Sequence, residues 1–71
     1  MPPQPLYERI AGDVRAQIST GVLKPGDKLP STREFCEQYD VSVTVVRMAI
    51  LVLRSEGKIV GVPGKGVYVA D

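Results

Sequence analysis

Along the first third of the chain the apolar residues fall at Tyr7, Ile10, Ala11, Val14 and Ile18, the i, i+3, i+4, i+7 stripe of an amphipathic helix. The spacing predicts a helix over residues 6–20, preceded by an extended arm at 1–5 that prolines at 2, 3 and 5 keep out of helix. Gly21 stands where a left-handed helix end is wanted. Val22-Leu23-Lys24 reads as a short extended piece before Pro25-Gly26, a pair suited to the centre of a type II turn. Next, Ser31 is placed to accept from the amide of Glu34 while Glu34 reaches back to the amide of Ser31, a capping box that opens a helix over 32–39. Phe35, Cys36 and Tyr39 give that helix one apolar side, with Cys36 acting as a small core residue. Asp40-Val41-Ser42 interrupts it, and Ser42 offers the N-cap of a third helix over 43–56 that stops at Gly57.

After Gly57 the period changes from helical to extended. Lys58 to Val62 and Val67 to Ala70 are rich in β-branched residues and flank Pro63-Gly64-Lys65-Gly66, which predicts a hairpin over 58–70 with a basic, glycine-rich tip. Two short helices joined by so tight a turn, the second bearing Thr and Arg on its outer side, form the pattern of a helix-turn-helix. The full order of helix, short strand, helix, turn, helix and hairpin is that of a winged helix-turn-helix: an α+β, mainly α domain over residues 6–70, with three helices, a short strand and a C-terminal β-hairpin wing.

Composition narrows the chemistry. At 71 residues, 44% hydrophobic and 24% charged, the chain is one small domain. It has no His, no Trp and one Cys, so it lacks a Cys/His zinc set, a disulfide framework and a His-based nucleophile triad. No catalytic residue, metal or cofactor is expected, and the spacing of Gly61, Gly64 and Gly66 fits neither a dinucleotide fingerprint nor a P-loop. No apolar run approaches the roughly 20 residues of a membrane helix, and Met1-Pro2-Pro3 opens no signal segment, which places the protein in the cytoplasm without a membrane partner. The net charge of +1 conceals an asymmetry. Residues 1–40 carry five basic and six acidic side chains, whereas residues 41–70 carry Arg47, Arg54, Lys58 and Lys65 against Glu56 alone. The second half holds the basic face.

Stepping about 100° per residue along the third helix gathers Val46, Ala49, Ile50 and Leu53 into a core-facing arc. Thr44, Arg47 and Arg54, with Val43, Met48 and Leu51, fall opposite, where a helix-turn-helix offers its second helix to the major groove. Arg47 is the first candidate: its guanidinium presents two parallel donors to guanine O6 and N7, or else grips a phosphate. Thr44 suits a phosphate through its hydroxyl or a thymine through its methyl, and Ser42 combines helix capping with a phosphate contact or caps alone. Arg33, at the start of the second helix, faces either the DNA backbone or its i+4 neighbour Glu37. At the hairpin tip Lys65 supplies charge and Gly66 permits close approach, although a tight turn alone would also use its glycines.

These segments together resemble the N-terminal DNA-binding domain of the GntR family of bacterial transcription regulators, without gaps from about Leu6 to Val69. The residues that carry the likeness are Gly21 to Ser31 (GVLKPGDKLPS), Arg33-Glu34, Val41-Ser42, Thr44, Val46-Arg47, Ala49, Leu53, Glu56-Gly57, Gly64-Lys65-Gly66 and Tyr68-Val69. The resemblance implies a protein that binds double-stranded operator DNA as a homodimer on a palindrome, governed by a small-molecule effector only through a C-terminal domain outside this chain. Arg33, Thr44 and Arg47 match family positions that contact DNA, and Lys65-Gly66 matches a wing that reaches the minor groove. Departures fall on the third helix: Val43 stands where the family usually carries Arg, Val45 where Thr is common, Met48 where Glu is common, and Leu51 and Val52 where polar residues are usual. Val43 then meets a thymine methyl, or DNA binding is weaker. The alternative is a winged-helix protein-protein module whose valine-rich third helix exposes Val45, Met48, Leu51 and Val52 as a contact strip.

Overall fold

The computed structural model describes residues 5–71. Residues 1–4 of the expected arm lie outside the described residues, and Pro5 is the N-cap residue of the first helix. The elements are α1 (Leu6–Ser19), α2 (Thr32–Tyr39), α3 (Val43–Ser55), β1 (Ile59–Val62) and β2 (Gly66–Val69), within a residue or two of the expected spans.

Local chemistry sets the helix ends. Gly21 takes φ 83° and donates to the Ile18 carbonyl at 3.3 Å, ending α1. The capping box of α2 is present in both directions, Ser31 Oγ accepting from the Glu34 amide and Glu34 Oε1 from the Ser31 amide, each at 3.1 Å. These bonds hold the Glu34 carboxyl below its ordinary pKa, the bond from the Ser31 backbone first. Asp40 turns the chain between α2 and α3 in the left-handed region at φ 55°. Ser42 then caps α3 by accepting from the Val45 amide at 3.4 Å.

The sheet corrects one expectation. Val22-Leu23-Lys24 forms no strand, and Val22 is exposed. The extended piece lies a few residues later, where Lys28 bridges Tyr68 in an antiparallel sense, the Leu29 amide donates to the Val67 carbonyl and the Val69 amide to the Asp27 carbonyl, both at 2.8 Å. β1 pairs with β2 on the other side, in the register Ile59↔Val69 to Val62↔Gly66. β2 is thus flanked by β1 and by residues 26–29, its backbone groups partnered on both edges.

Ten buried apolar side chains form the core: Ile10, Ala11 and Val14 from α1, Leu29, Phe35 from α2, Val46, Ala49 and Leu53 from α3, and Ile59 and Val69 from the hairpin. Ile50 is only half-buried, packing on this core while lining a groove. Cys36 and Tyr39 pack against it, as their side of α2 predicts. Val45 is a second correction: it is half-buried against the core rather than part of an exposed strip, and Val52 is also half-buried. α2 packs against α3, and Val45 packs against the core that both helices share. At the far end Arg15 ties α1 to α3, its Nε and Nη2 donating to the Glu56 carboxylate at 2.8 and 2.6 Å and its Nη1 to Glu8.

Candidate nucleic-acid interface

With Val46, Ala49 and Leu53 buried, the helical period obliges α3 to present Val43, Thr44, Arg47, Met48, Leu51 and Arg54 outward, and all six are exposed. Ser42, which starts this face, is exposed as well and keeps its capping bond. The hairpin tip lies to one side of the helix. Its turn is closed by the Lys65 amide donating to the Val62 carbonyl at 3.0 Å, with Gly64 at φ 74° in the position of a type II turn that a side chain resists.

Between the start of α2, the side of α3 and β2 runs an open groove of about 580 Å³. Its floor is apolar, with Leu29, Phe35, Ile50 and Val67, and its rim carries Lys28, Arg47, Arg54 and Lys65 with no carboxylate in the lining. None of these four cations makes an ion pair among the described residues, where the pairs are Arg15 with Glu8 and Glu56 and Arg33 with Glu37. Two of the four rest on glycines of the hairpin. The Arg54 guanidinium lies over Gly61, 3.6 Å from where a Cβ would sit, and Lys28 Cε lies 3.0 Å from the same point on Gly66. A side chain at Gly66 would push Lys28 aside and would sit at an unfavourable φ of 134°.

The structure therefore gathers Arg47, Lys65 and Gly66 around one groove, and leaves Ser42, Val43 and Thr44 beside it at the exposed start of α3. Arg33 stands apart from the lining. Its Nε donates to Glu37 Oε1 at 3.3 Å with the side chain 89% exposed, so the i+4 partner is the one it meets here. Lys28 and Arg54 join the site beyond the sequence-based set. Arg54 had a signal, its place on the outer face of α3. Lys28 had none, because its seat depends on residues 26–29 pairing with a strand some forty positions away.

The match to the bacterial regulatory proteins of the gntR family runs over residues 6–69. The chain belongs to this family. Among curated GntR relatives, it is 42% identical over 69 residues to the Exu regulon transcriptional regulator of Escherichia coli, covering 97% of this chain and 27% of that protein. It is 38% identical over 68 residues to the transcriptional repressor NagR of Bacillus subtilis, covering 96% of this chain and 28% of NagR. The chain thus spans about a quarter of the length of these GntR regulators. Among solved structures, the DNA-binding domain of AraR in complex with its operator ORR3 superposes with a TM-score of 0.89 at 30% identity, over 99% of this chain and 92% of that one. The matched family is one of bacterial regulatory proteins.

Proposed function

We propose that this GntR domain binds double-stranded DNA in a sequence-specific manner, with α3 in the major groove and the Lys65-Gly66 tip at the minor groove. Two copies sit on a palindromic operator, in the cytoplasm of a bacterium, as part of a transcription regulator. The observation that carries this reading is the set of four cations, Lys28, Arg47, Arg54 and Lys65, that converge on the exposed face of α3 and the wing and form no ion pair among the described residues. Phosphate oxygens are the chemistry such a set lacks. The likeness to the AraR domain, solved in complex with its operator, supports DNA as the partner. Arg47 is assigned to a base edge, Thr44 and Ser42 to the adjoining backbone or base methyl, Val43 to a base methyl, Lys65 and Gly66 to the wing contact, and Arg33 to a phosphate after release from Glu37. An effector acts only through a further domain, as a small molecule sensed elsewhere.

Selection of the 71-residue chain against a randomised duplex pool at low salt tests the reading. An enriched palindrome, with affinity that falls steeply as salt is raised, supports it. A second reading rests on Met48 and Leu51, 44% and 68% exposed on the same helix: a protein-protein module that uses α3 as its contact face. That reading expects no enrichment and little dependence on salt.

A further inference from the structure

The residue inventory of α3 restricts which bases it can read. From Val43 to Ser55 the helix contains no Asn, Gln, Asp or Glu. Adenine is read in the major groove by the paired donor and acceptor of Asn or Gln, and cytosine by a carboxylate accepting from its amino group. Neither tool is present. What α3 does present at its exposed start is one guanidinium, Arg47, and the short hydroxyl side chain of Thr44, with the apolar Val43 and Met48 one turn away from them. Val43 lies four residues before Arg47, and Met48 lies four residues after Thr44, so these side chains share one outward face. Val43 is 43% and Met48 44% exposed, and neither lines the groove floor. Arg54 stands seven residues beyond Arg47, about 10 Å along the axis, and leans on Gly61 of the hairpin, which directs it toward the backbone between helix and wing. The cations on the rim, Lys28, Arg54 and Lys65, bring phosphates to this face and commit its apolar members to the floor of a major groove.

Building on the DNA-binding reading above, we propose that α3 reads base edges through two chemistries, guanine edges through Arg47 and thymine C5-methyl groups through Val43 and Met48, with the Thr44 hydroxyl on the adjoining phosphate. Each A·T pair it distinguishes is recognised from its thymine, never from its adenine. Val43 and Met48 are then specificity-determining residues. An apolar side chain meeting a methyl in the groove removes both from water, and a single methyl removed from such a contact weakens binding about fourfold.

Deoxyuridine separates this from any other use of the face, since it keeps the pairing and the O4 acceptor of thymine and lacks only the methyl. In the enriched duplex, thymines of the half-site are replaced one at a time by deoxyuridine, and affinities of the wild-type chain, Val43→Ala and Met48→Ala are measured at fixed salt. Circular dichroism verifies the folded state of each variant. One or two thymines are expected to lose about fourfold each with the wild-type chain. Val43→Ala or Met48→Ala is expected to bind the thymine duplex more weakly and to stop distinguishing uracil from thymine at one of those positions. Binding indifferent to every uracil, a uracil penalty that persists in both variants, or an enriched half-site without thymine overturns the inference and leaves DNA binding standing. Failure to bind any duplex overturns the DNA-binding reading, and the inference with it.

Discussion

The two sides of this small domain use charge in opposite ways. On the α1 and α2 side, ionic and polar groups are engaged with one another. Arg15 bridges Glu8 and Glu56, Arg33 meets Glu37, Glu34 closes the capping box, and the Tyr39 hydroxyl donates to Asp13 at 2.8 Å. On the α3 and hairpin side, Lys28, Arg47, Arg54 and Lys65 surround a groove without a carboxylate. Paired charges of the first kind hold helices in place, and each presents little net field to a partner. Cations that form no ion pair among the described residues do little for the fold and remain available to an anion. A formal net charge of +1 therefore understates what a polyanion would meet on one face.

Core substitution should break both sides at once. Leu53→Ala, at a side chain with no exposure, is expected to cost about 2 to 5 kcal/mol, against a total stability of about 4 to 11 kcal/mol for a chain of this size. Denaturant unfolding would measure it, and a loss well under 1 kcal/mol would mean that the packing around α3 is looser than described. Arg47→Ala should separate the two sides: about 1 to 3 kcal/mol of affinity lost on the enriched duplex, with relaxed preference at one base pair and an unchanged unfolding midpoint. The reverse separation is expected of Ser31→Ala, which removes the α2 cap for about 0.5 to 2 kcal/mol of stability and leaves the salt dependence of DNA binding as it was.

Smaller effects sharpen the contrast. Lys65→Ala should weaken binding to all sequences alike and reduce the slope of log affinity against log salt by about 1. A loss confined to one sequence would move Lys65 from the backbone to a base. Titration should report the first side. Glu34 and Glu56 are held below their ordinary value of 4.5, by hydrogen bonds from Ser31 and from Arg15 respectively. A depressed carboxyl contributes stability above its unfolded pKa and loses it on protonation, so the unfolding midpoint should fall as pH drops through 4.5 and below. Tyr39 behaves in the opposite sense. Burial first, then its bond to Asp13, push its pKa from 10.0 up to about 12, and its contribution should persist below pH 10 and vanish as pH rises through 12. Thermal melts across both ranges provide the check, and a flat acid limb would argue against the capping box and the Arg15 bridge in solution.

The paired side was the easier one to anticipate from sequence, because its interactions are short in range. Ser31 and Glu34 are three residues apart, and Arg33 and Glu37 four. The Arg15–Glu56 bridge, spanning 41 positions, was not anticipated, and neither was the bond from Tyr39 to Asp13. On the other side, Arg47, Lys65 and Gly66 were identifiable from helical phase and turn chemistry. The groove that unites them with Lys28 and Arg54 was not, since it is made by segments from three regions of the chain.

By itself, the order of residues determined the three helices, their caps, the hairpin and the inward phase of Val46, Ala49 and Leu53. Each follows from hydrogen bonds and periodicities that operate within a few positions. Tertiary structure decided that residues 26–29, rather than 22–24, would pair with β2, that Val45 would turn inward, and that Lys28 and Arg54 would rest on Gly66 and Gly61. Those outcomes rest on edge pairing and close approach between distant segments, where any of several short stretches has the hydrogen-bonding groups to serve. Only the packing of the helices on the hairpin selects among them.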